Sequence, residues 1–272
     1  MKDWHMHTIV SDGYDDIYTM LRESIKIGLK SISITDHDAI NAHFELEKIG
    51  AHPIDIFSGV ELDCDFNGKA IEILGYGFNI HDNALNDYLE DIQLQRIKRA
   101  QEYIKIVNSH FGKSALDESE VFPQGRKTIL KPHILRPLIK KGFFENYKEA
   151  KKFIANTAEL PLERIKAQAA IQMIHDAGGR AFLAHPGVYD FDRNYLTEVI
   201  IVLKNAKMDG IEFYYPYFNM RDERYISQEQ IDEFYKYLLP LCNDLEISQG
   251  GDAHSASDLL ALWENNEKWT VV

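Results

Sequence analysis

The amino-acid sequence predicts an α/β fold in which short strands alternate with helices and assemble into a largely parallel sheet or barrel. Seven runs of β-type residues that end at polar residues are strand candidates: Asp3 to His7, Ser31 to Thr35, Ile54 to Val60, Ala70 to Tyr76, Arg180 to Ala184, Gly210 to Tyr214 and Leu245 to Ser248. Helical patterns separate several of these runs. The clearest places Ile17, Leu21 and Ile25 on one face, with Gly28 as its C-terminal signal.

The alternation is interrupted after Tyr76, because the next strand candidate begins only at Arg180. Apolar residues at helical intervals and a proline suited to a first helical turn predict helices in between. These helices are residues 84–111, a helix that starts at Pro132, and Asn146 to Ala155. We therefore expect an inserted helical cap subdomain at 84–165, within an α/β body formed by 1–83 and 166–272.

Composition restricts the class of protein. Of the 272 residues, 45% are hydrophobic and 27% charged, which is typical of a folded globular chain. The formal charge of −13 argues against broad nucleic-acid binding through a basic face. Cys64 and Cys242 are too few for a disulfide scaffold. We expect a cytoplasmic protein without a membrane partner, since no apolar run approaches the ~20 residues of a membrane helix and the N-terminus does not resemble a signal peptide.

Histidine and carboxylate residues cluster where predicted strands end. His5 and His7 lie two apart in the first predicted strand, so the alternating pleat points both rings to one side. Asp12 lies just beyond this strand, and the other candidates follow later strands: Thr35, Asp36, His37, Asp38, Glu61, His185, Asp252 and His254. The carboxyl ends of parallel barrel strands meet at one face, where active sites are built. Imidazoles and carboxylates without thiolates favour a Zn, Mn or Fe site.

A single histidine is more often a surface or core side chain than a metal ligand, and a His-X-His pair alone does not decide between these. The further His and Asp groups at strand ends favour the metal site. Five other histidines lie in helix or loop contexts without an accompanying carboxylate and are expected to have no role in it: His43, His52, His81, His110 and His175.

Six short motifs span nearly the whole chain: Asp3-Trp4-His5-Met6-His7-Thr8, Ser11-Asp12-Gly13, Thr35-Asp36-His37-Asp38, Gly59-Val60-Glu61, Ala184-His185-Pro186-Gly187 and Gly251-Asp252-Ala253-His254. In this order they resemble the PHP (polymerase and histidinol phosphatase) superfamily. The resemblance implies a distorted seven-stranded (β/α) barrel with an inserted helical subdomain and two or three divalent metal ions, Mn, Zn or Fe, at its mouth.

Three further segments resemble one branch of that superfamily: Lys131-Pro132-His133, Gly142 and Ala177-Gly178-Gly179. This branch contains stand-alone phosphoesterases that act on nucleoside 3′,5′-bisphosphates and on short RNA 5′ ends. The resemblance implies a small phosphorylated substrate, either a nucleotide or a short RNA.

The resemblance also implies the metal ligands. Those of a first ion would be His5, His7, Glu61 and Asp252. Glu61 would bridge to a second ion, which His133 would also bind. The ligands of a third site would be Asp12, His37, His185 and His254. His185 or His254 could in addition protonate the leaving group.

The chain departs from the family at Glu72, where relatives usually carry a histidine ligand. Two alternatives are open: Glu72 has lost the ligand function and faces solvent, or Glu72 itself binds the metal. The second alternative would shift the preference of the site toward harder ions such as Mn.

Basic side chains could add contacts to a phosphate, and seven are candidates: Arg96, Arg99, Lys131, Arg136, Arg180, Arg221 and Arg224. Most of them could equally be solvated surface charges. Lys131 and Arg136 are favoured as substrate-binding residues because they flank His133.

The sequence thus predicts a metal-dependent phosphoesterase that hydrolyses a small phosphomonoester, such as a nucleoside 3′,5′-bisphosphate, by metal-activated hydroxide. Histidinol phosphate, phosphotyrosine and oligonucleotides are alternative substrates. An amidohydrolase-type C–N hydrolase, which also begins with His-X-His, is a rival enzyme class. A non-catalytic module that retains the barrel without metals is a second rival.

Overall fold

The chain folds into two β-sheets covered by helices in the computed structural model, which describes residues 1–112, 115–157, 160–217, 225 and 227–264. The strands are β1 (Lys2–Asp3), β2 (Ser31–Ser33), β3 (Asp55–Phe57), β4 (Gly59–Phe66), β5 (Lys69–Tyr76), β6 (Ile165–Lys166), β7 (Arg180–Leu183), β8 (Gly210–Tyr214) and β9 (Glu246–Gln249).

The helices are α1 (Ile17–Lys26), α2 (Asn41–Ile49), α3 (Asn83–Phe111), α4 (Glu118–Val121), α5 (Lys131–Lys140), α6 (Tyr147–Thr157), α7 (Ala167–Asp176), α8 (Arg193–Asn205), α9 (Gln228–Leu238) and α10 (Ala256–Glu264). Within the described residues, none of these helices is long and apolar enough to cross a membrane.

Most strand pairings are parallel, as expected, and β5 is the exception. β1, β2 and β3 pair in parallel as a small sheet. The larger sheet has the order β6-β4-β5-β7-β8-β9, and β5 runs antiparallel to both β4 and β7. The reversal occurs at Asn67 and Gly68, both at positive φ, which is the backbone that a two-residue hairpin turn requires. The α/β class is therefore confirmed, with mixed rather than purely parallel pairing.

The predicted strand Ile54 to Val60 consists of two strands that belong to different sheets. β3 ends at Phe57 and β4 begins at Gly59. Gly59 packs so closely on β2 that a Cβ atom there would overlap the side chain of Ser33. Glu61 was expected after a strand end, but it lies inside β4 because the chain has already entered the second sheet.

The two sheets are joined by hydrogen bonds beyond their strand ends. β1 is shorter than predicted, and His5 and His7 lie past its end. The N–H of His7 donates to the carbonyl oxygen of Ala253, past the end of β9 (2.8 Å). On the other side, the N–H of Asp38 donates to the carbonyl oxygen of Glu61 in β4 (2.9 Å). The ends of β1 and β2 are thereby held against the larger sheet.

Helices α3 to α6 share an apolar cluster that is separate from those under the sheets. α3 matches the predicted helix 84–111, and α5 starts one residue before Pro132. Val107, Leu138 and Ile154 are among the buried residues of this cluster. The boundaries 84–165 of an inserted subdomain stay a prediction.

Leu138 is fully buried in this cluster, so Leu138→Ala removes apolar contacts and leaves a cavity. We expect the free energy of unfolding to fall by roughly 2–5 kcal/mol, measured by urea denaturation. Leu94→Ala is the matched control on α3, because Leu94 is 55% exposed and should change stability by less than about 0.5 kcal/mol. Equal losses in the two variants would contradict the assignment of Leu138 to a packed core.

Candidate metal centre

Nine of the ten predicted metal ligands converge in four overlapping groups, in each of which the ligand atoms lie within 4.8 Å of one another. The groups are His7-Asp12-His37-His254, His5-His7-Glu61, His5-His185-Asp252 and His37-Glu61-Glu72. Because His5, His7, His37 and Glu61 each belong to two groups, the cluster could hold more than one ion.

Several ligand atoms in the cluster are buried without a hydrogen bond. Glu61 Oε2 and Asp12 Oδ1 are inaccessible to solvent and lack a hydrogen-bond partner within the described ranges. The Nε2 atoms of His5 and His7 lie 3.2 Å apart, and Glu61 Oε2 lies 3.3 Å and 3.4 Å from them. Buried lone pairs that face one another are costly unless a cation satisfies them. The donor set therefore fits a divalent metal ion.

The electrostatics of the cluster also favour cations. Burial lowers the pKa of His185, but its hydrogen bond to Glu61 and the charge of Glu72 outweigh burial and raise the pKa to about 9. For His254, the charges of Asp12 and Asp252 likewise overcome burial and raise the pKa to about 9. The carboxylates thus create a negative field that draws protons onto these imidazoles, and a divalent ion would be attracted by the same field.

Glu72 points into the cluster. One carboxylate oxygen lies 3.3 Å from His185 Nε2 and the other 3.8 Å from His37 Nδ1. Burial, followed by the negative charge of Glu61, raises the pKa of Glu72 to about 7. This geometry disagrees with the alternative in which the Glu72 carboxylate faces away into solvent. The role of Glu72 as a metal ligand stays a prediction.

His133 belongs to none of the four groups. Its Nδ1 accepts the backbone N–H of Leu130 at the start of α5 (2.8 Å). Burial and the nearby charge of Arg126 lower the pKa of His133 to about 3, so the ring is neutral and its proton lies on Nε2. His133 Nε2 is buried and has no partner in the described part of the chain. In this tautomer Nε2 is a hydrogen-bond donor, and the predicted binding of a metal ion by His133 stays a prediction.

Two arginines extend this set of donors beside Asp12. Arg136 Nη1 donates to the carbonyl oxygen of Asp12 (3.0 Å), and Arg126 Nη2 donates to that of Gly13 (3.2 Å). The guanidinium of Arg136 also lies over the Tyr14 ring, 4.6 Å from its centroid. Arg136 Nη2 and Arg126 Nε are buried without an acceptor in the described ranges. Together with His133 they leave three unused donors beside the cluster, an arrangement that fits an anion.

Arg126 is absent from the sequence prediction, because it lies in a segment between α4 and α5 with no periodic pattern or motif. Lys131 begins α5, two residues before His133. Its predicted contact with the substrate stays a prediction, as does that of Arg136.

Two buried acids support the cluster: Glu212, which was missed as a functional residue, and Asp36, which was a candidate from the sequence. Glu212 in β8 is fully buried, lies 3.0 Å from His5 Nδ1 and accepts the backbone N–H of His185 (2.8 Å). Asp36 accepts hydrogen bonds from Thr8 and Ser11, which fixes the loop between His7 and Asp12. A carboxylate in the apolar run Gly210–Tyr214 is the signal that could have identified Glu212.

The remaining histidines lie outside the cluster, but two of them do have a carboxylate partner. His175 Nε2 is 2.7 Å from Asp209, and His81 Nε2 is 3.0 Å from Glu47. The expectation of no carboxylate nearby was wrong for both, because the acids come from distant parts of the sequence. His43 Nε2 contacts the backbone of Gly59.

No hydrogen bond or ion pair links the other described basic candidates to the metal-ligand groups. Arg96 is buried in ion pairs with Asp38 and Asp63, and Arg99 is buried next to it. Arg180 is half exposed and pairs with Asp209 and Glu246. The candidates that lie outside the described residues are Arg221 and Arg224.

The family model of the PHP domain matches residues 3–245, which is most of the chain. The chain belongs to the PHP domain family. Two related proteins match this PHP domain along most of their length. One is a 5′-3′ exoribonuclease of Haemophilus influenzae, 26% identical, with 97% of this chain and 93% of the relative covered. The other is a 3′,5′-nucleoside bisphosphate phosphatase of Chromobacterium violaceum, 23% identical, with 94% and 88% covered.

A solved structure shows that this PHP domain shares its fold with a known protein. The protein is an amidohydrolase from Chromobacterium violaceum with bound sulfate and no metal. It superimposes with a TM-score of 0.76 at 21% identity, over 93% of this chain and 87% of the other. At this identity the likeness concerns the fold alone.

The geometry of Glu72 makes its role in the PHP domain testable. We expect Glu72→Gln to lower the number of bound metal ions, measured by elemental analysis, because the amide carries no charge. Glu72→His should restore occupancy with a shift toward Zn, and the wild type should be more active with Mn than with Zn. Asp65→Gln is a control, because Asp65 on the neighbouring strand pairs with Lys166 outside the cluster. Unchanged occupancy and rate in Glu72→Gln would show that Glu72 is not a ligand.

Proposed function

We propose that this PHP domain is a metal-dependent phosphoesterase that hydrolyses phosphomonoesters of nucleotides. The observation that carries this proposal is the pairing of two complementary features at one site. Buried carboxylate and imidazole lone pairs suited to divalent cations lie directly beside the unused N–H donors of Arg126, His133 and Arg136. A phosphate ester satisfies both, because its oxygens can contact cations and N–H donors simultaneously.

The residues proposed to hold the metal ions are His5, His7, Asp12, His37, Glu61, Glu72, His185, Asp252 and His254. Bound divalent ions would supply a hydroxide at neutral pH and neutralise the charge of the phosphoryl group. Glu212 keeps His5 in one orientation through its Nδ1, which leaves His5 Nε2 directed at the cluster.

The donors beside the cluster would orient the substrate. Arg126 and Arg136 would bind the phosphoryl oxygens, and His133 would donate from Nε2 rather than act as a ligand. For protonation of the leaving group, which requires a histidine that is not at that moment bound to an ion, we favour His254 over His185, since the side chain of His254 is 14% exposed and that of His185 only 5%. His254 Nδ1 contacts the carbonyl oxygen of Asp252 (2.8 Å), which orients Nε2 toward Asp12.

We propose three ions rather than two. Asp12, Glu61, Glu72 and Asp252 carry four negative charges, so two divalent ions leave a neutral site and three leave +2. A positive site attracts a phosphate substrate to a protein whose overall charge is −13. The carboxylate at position 72 favours Mn within the set Mn, Zn and Fe.

For the finer architecture we propose a distorted seven-stranded barrel of β1, β2, β4, β5, β7, β8 and β9. Two bridging pairs support closure of this ring: Met6 with Ala253 and His37 with Glu61. The segment 84–165 would be the cap, because it carries Arg126, His133 and Arg136 to the mouth.

A cytoplasmic location also stays a proposal, supported by two buried, unpaired cysteines.

The substrate class is proposed to be a nucleotide such as a nucleoside 3′,5′-bisphosphate, in agreement with the names of the two sequence relatives. A short RNA with a 5′ phosphate presents the same phosphate group. The unused donors favour an anionic substrate over the neutral amide of a C–N hydrolase.

The proposal is tested with purified protein, Mn, and panels of phosphomonoesters and amides. We expect phosphate release by the wild type and a loss of at least about a hundredfold in His7→Ala, with an unchanged circular dichroism spectrum. The control His81→Ala should behave as wild type, because His81 is 59% exposed and pairs with Glu47 outside the cluster. Amide turnover without phosphate release, or a fully active His7→Ala protein with full metal content, would overturn the proposal.

Arg126 and Arg136 are tested by their effect on substrate binding. We expect Arg126→Ala and Arg136→Ala each to raise KM for phosphomonoesters roughly tenfold, because each removes a charged hydrogen-bond donor. Metal content should stay at the wild-type value, as measured by elemental analysis. Arg22→Ala is the control, since Arg22 is 66% exposed on α1. A KM that is unchanged across several phosphomonoesters would remove the altered arginine from the site.

A further inference from the structure

Arg99 on α3 is a buried cation without a counter-charge of its own. It is 9% exposed, and no hydrogen bond or ion pair links its guanidinium to another described residue. Burial and the nearby positive charge of Arg96 lower the pKa of Arg99 to about 10, so the side chain is still charged at neutral pH. A buried, unpaired charge normally destabilises a fold. The guanidinium nitrogens of Arg99 avoid that cost, because none of them is sealed from solvent without a partner, and they are accessible to a ligand.

The neighbouring acids are already used by other arginines. Asp63 pairs through Oδ2 with Arg96 Nη2 (3.0 Å) and through Oδ1 with Arg164 Nε (2.6 Å). Asp38 accepts from Arg96 through Oδ2 and from the backbone N–H of Asp63 through Oδ1 (3.1 Å). Two carboxylates thus face three guanidinium groups. This cluster, formed by Arg96, Arg99, Arg164, Asp38 and Asp63 and called the α3 arginine cluster below, has an excess positive charge.

The α3 arginine cluster also has free donors. Arg164 uses only its Nε in the ion pair with Asp63, which leaves its two terminal nitrogens available for a ligand. Its side chain is 28% exposed, so a molecule from solvent can reach it. Arg99 contributes a complete guanidinium, which has five N–H donors.

The α3 arginine cluster lies directly beside the metal centre. Asp38 follows His37 in the sequence, and Asp63 is paired with Glu72 across β4 and β5. Glu72 and His37 both belong to one of the four candidate metal groups. Arg126 and Arg136, by contrast, contact the backbone at Asp12 and Gly13. The α3 arginine cluster is therefore connected to the metal centre through Asp38 and Asp63, on a route separate from Arg126 and Arg136.

We propose that Arg99, together with the terminal nitrogens of Arg164, binds a second phosphate group of the substrate, carried by the same nucleotide as the phosphate that is hydrolysed. The inference rests on the proposed function, which supplies the first phosphate at the metal centre. Arg96 is a positioning residue. The charge of its guanidinium is neutralised by Asp38 and Asp63, and its hydrogen bond to Asp63 keeps that carboxylate next to Arg164. No bond is formed or broken at this second site.

The main test compares the kcat/KM ratio of adenosine 3′,5′-bisphosphate and adenosine monophosphates on the full-length, Mn-loaded protein. We expect the wild type to prefer the bisphosphate by about tenfold or more, as a charged hydrogen bond implies. Arg99→Met should abolish the preference, because methionine retains the length and helix propensity of the side chain without its charge. Arg180→Met is the control and should retain the full preference, since Arg180 pairs with Asp209 and Glu246 away from the centre.

A second measurement separates a ligand site from a structural role. We expect Arg99→Met to raise the melting temperature of the ligand-free protein, because it removes the repulsion between Arg99 and the neighbouring charge of Arg96. Arg96→Met should lower it, since Asp38 then remains buried without its partner. A structural role for Arg99 predicts the opposite result, a fall in melting temperature with Arg99→Met.

Three results would overturn the inference. The first two are a wild type that does not prefer the bisphosphate and an Arg99→Met protein that retains the preference. The third is a loss of kcat/KM in Arg99→Met with a 5′-phosphorylated dinucleotide but not with the bisphosphate. Failure of the proposed function is distinguishable. If no phosphomonoester is hydrolysed, calorimetric binding of the bisphosphate and of the monophosphates in EDTA still reports on Arg99. A preference that Arg99→Met removes there would support the second site, and equal binding would overturn it.

Discussion

The concentration of carboxylates and imidazoles at the strand ends is the constraint on which the rest of the site depends. Glu61, His5 and His7 are almost completely excluded from solvent, and their lone pairs face one another. Such a group is unfavourable without cations. The backbone hydrogen bonds that join the two sheets hold these side chains close together. Asp38 and Asp252, which lie beside them in the chain, adopt positive φ values. Strained backbone of this kind is typical of functional sites.

An acidic protein that binds a phosphate needs a positive electrostatic potential at the binding site. Metal ions would provide it at the centre, and the fold supplements them with cations that it leaves unpaired. Arg126 and Arg136 each donate from one nitrogen to a backbone carbonyl oxygen and keep another nitrogen buried without an acceptor in the described part of the chain. Arg99 retains its donors because Asp38 and Asp63 are already occupied. Unpaired cationic donors are therefore present at both places.

The sequence predicted the parts of the fold that follow from local pattern. The helices α1 and α3 and most strands appear close to their expected positions, and nine predicted ligands converge. The Asn67-Gly68 pair was a usable hairpin signal, and it marks where β5 turns antiparallel. The transfer of β4 into the second sheet could not be predicted, because it depends on the close contact of Gly59 with β2, which is a tertiary packing effect.

His133 illustrates why a motif does not determine a role. Family resemblance identifies a histidine at this position, but whether its ring can bind a metal depends on which nitrogen carries the proton. That choice is set by the N–H of Leu130, which is unpaired only because α5 begins there. Arg126 comes from a segment without a pattern, and its charge further disfavours a protonated ring. The tautomer thus depends on a helix start and a distant cation together, so the same residue type can bind a metal ion in one protein and donate a hydrogen bond in another.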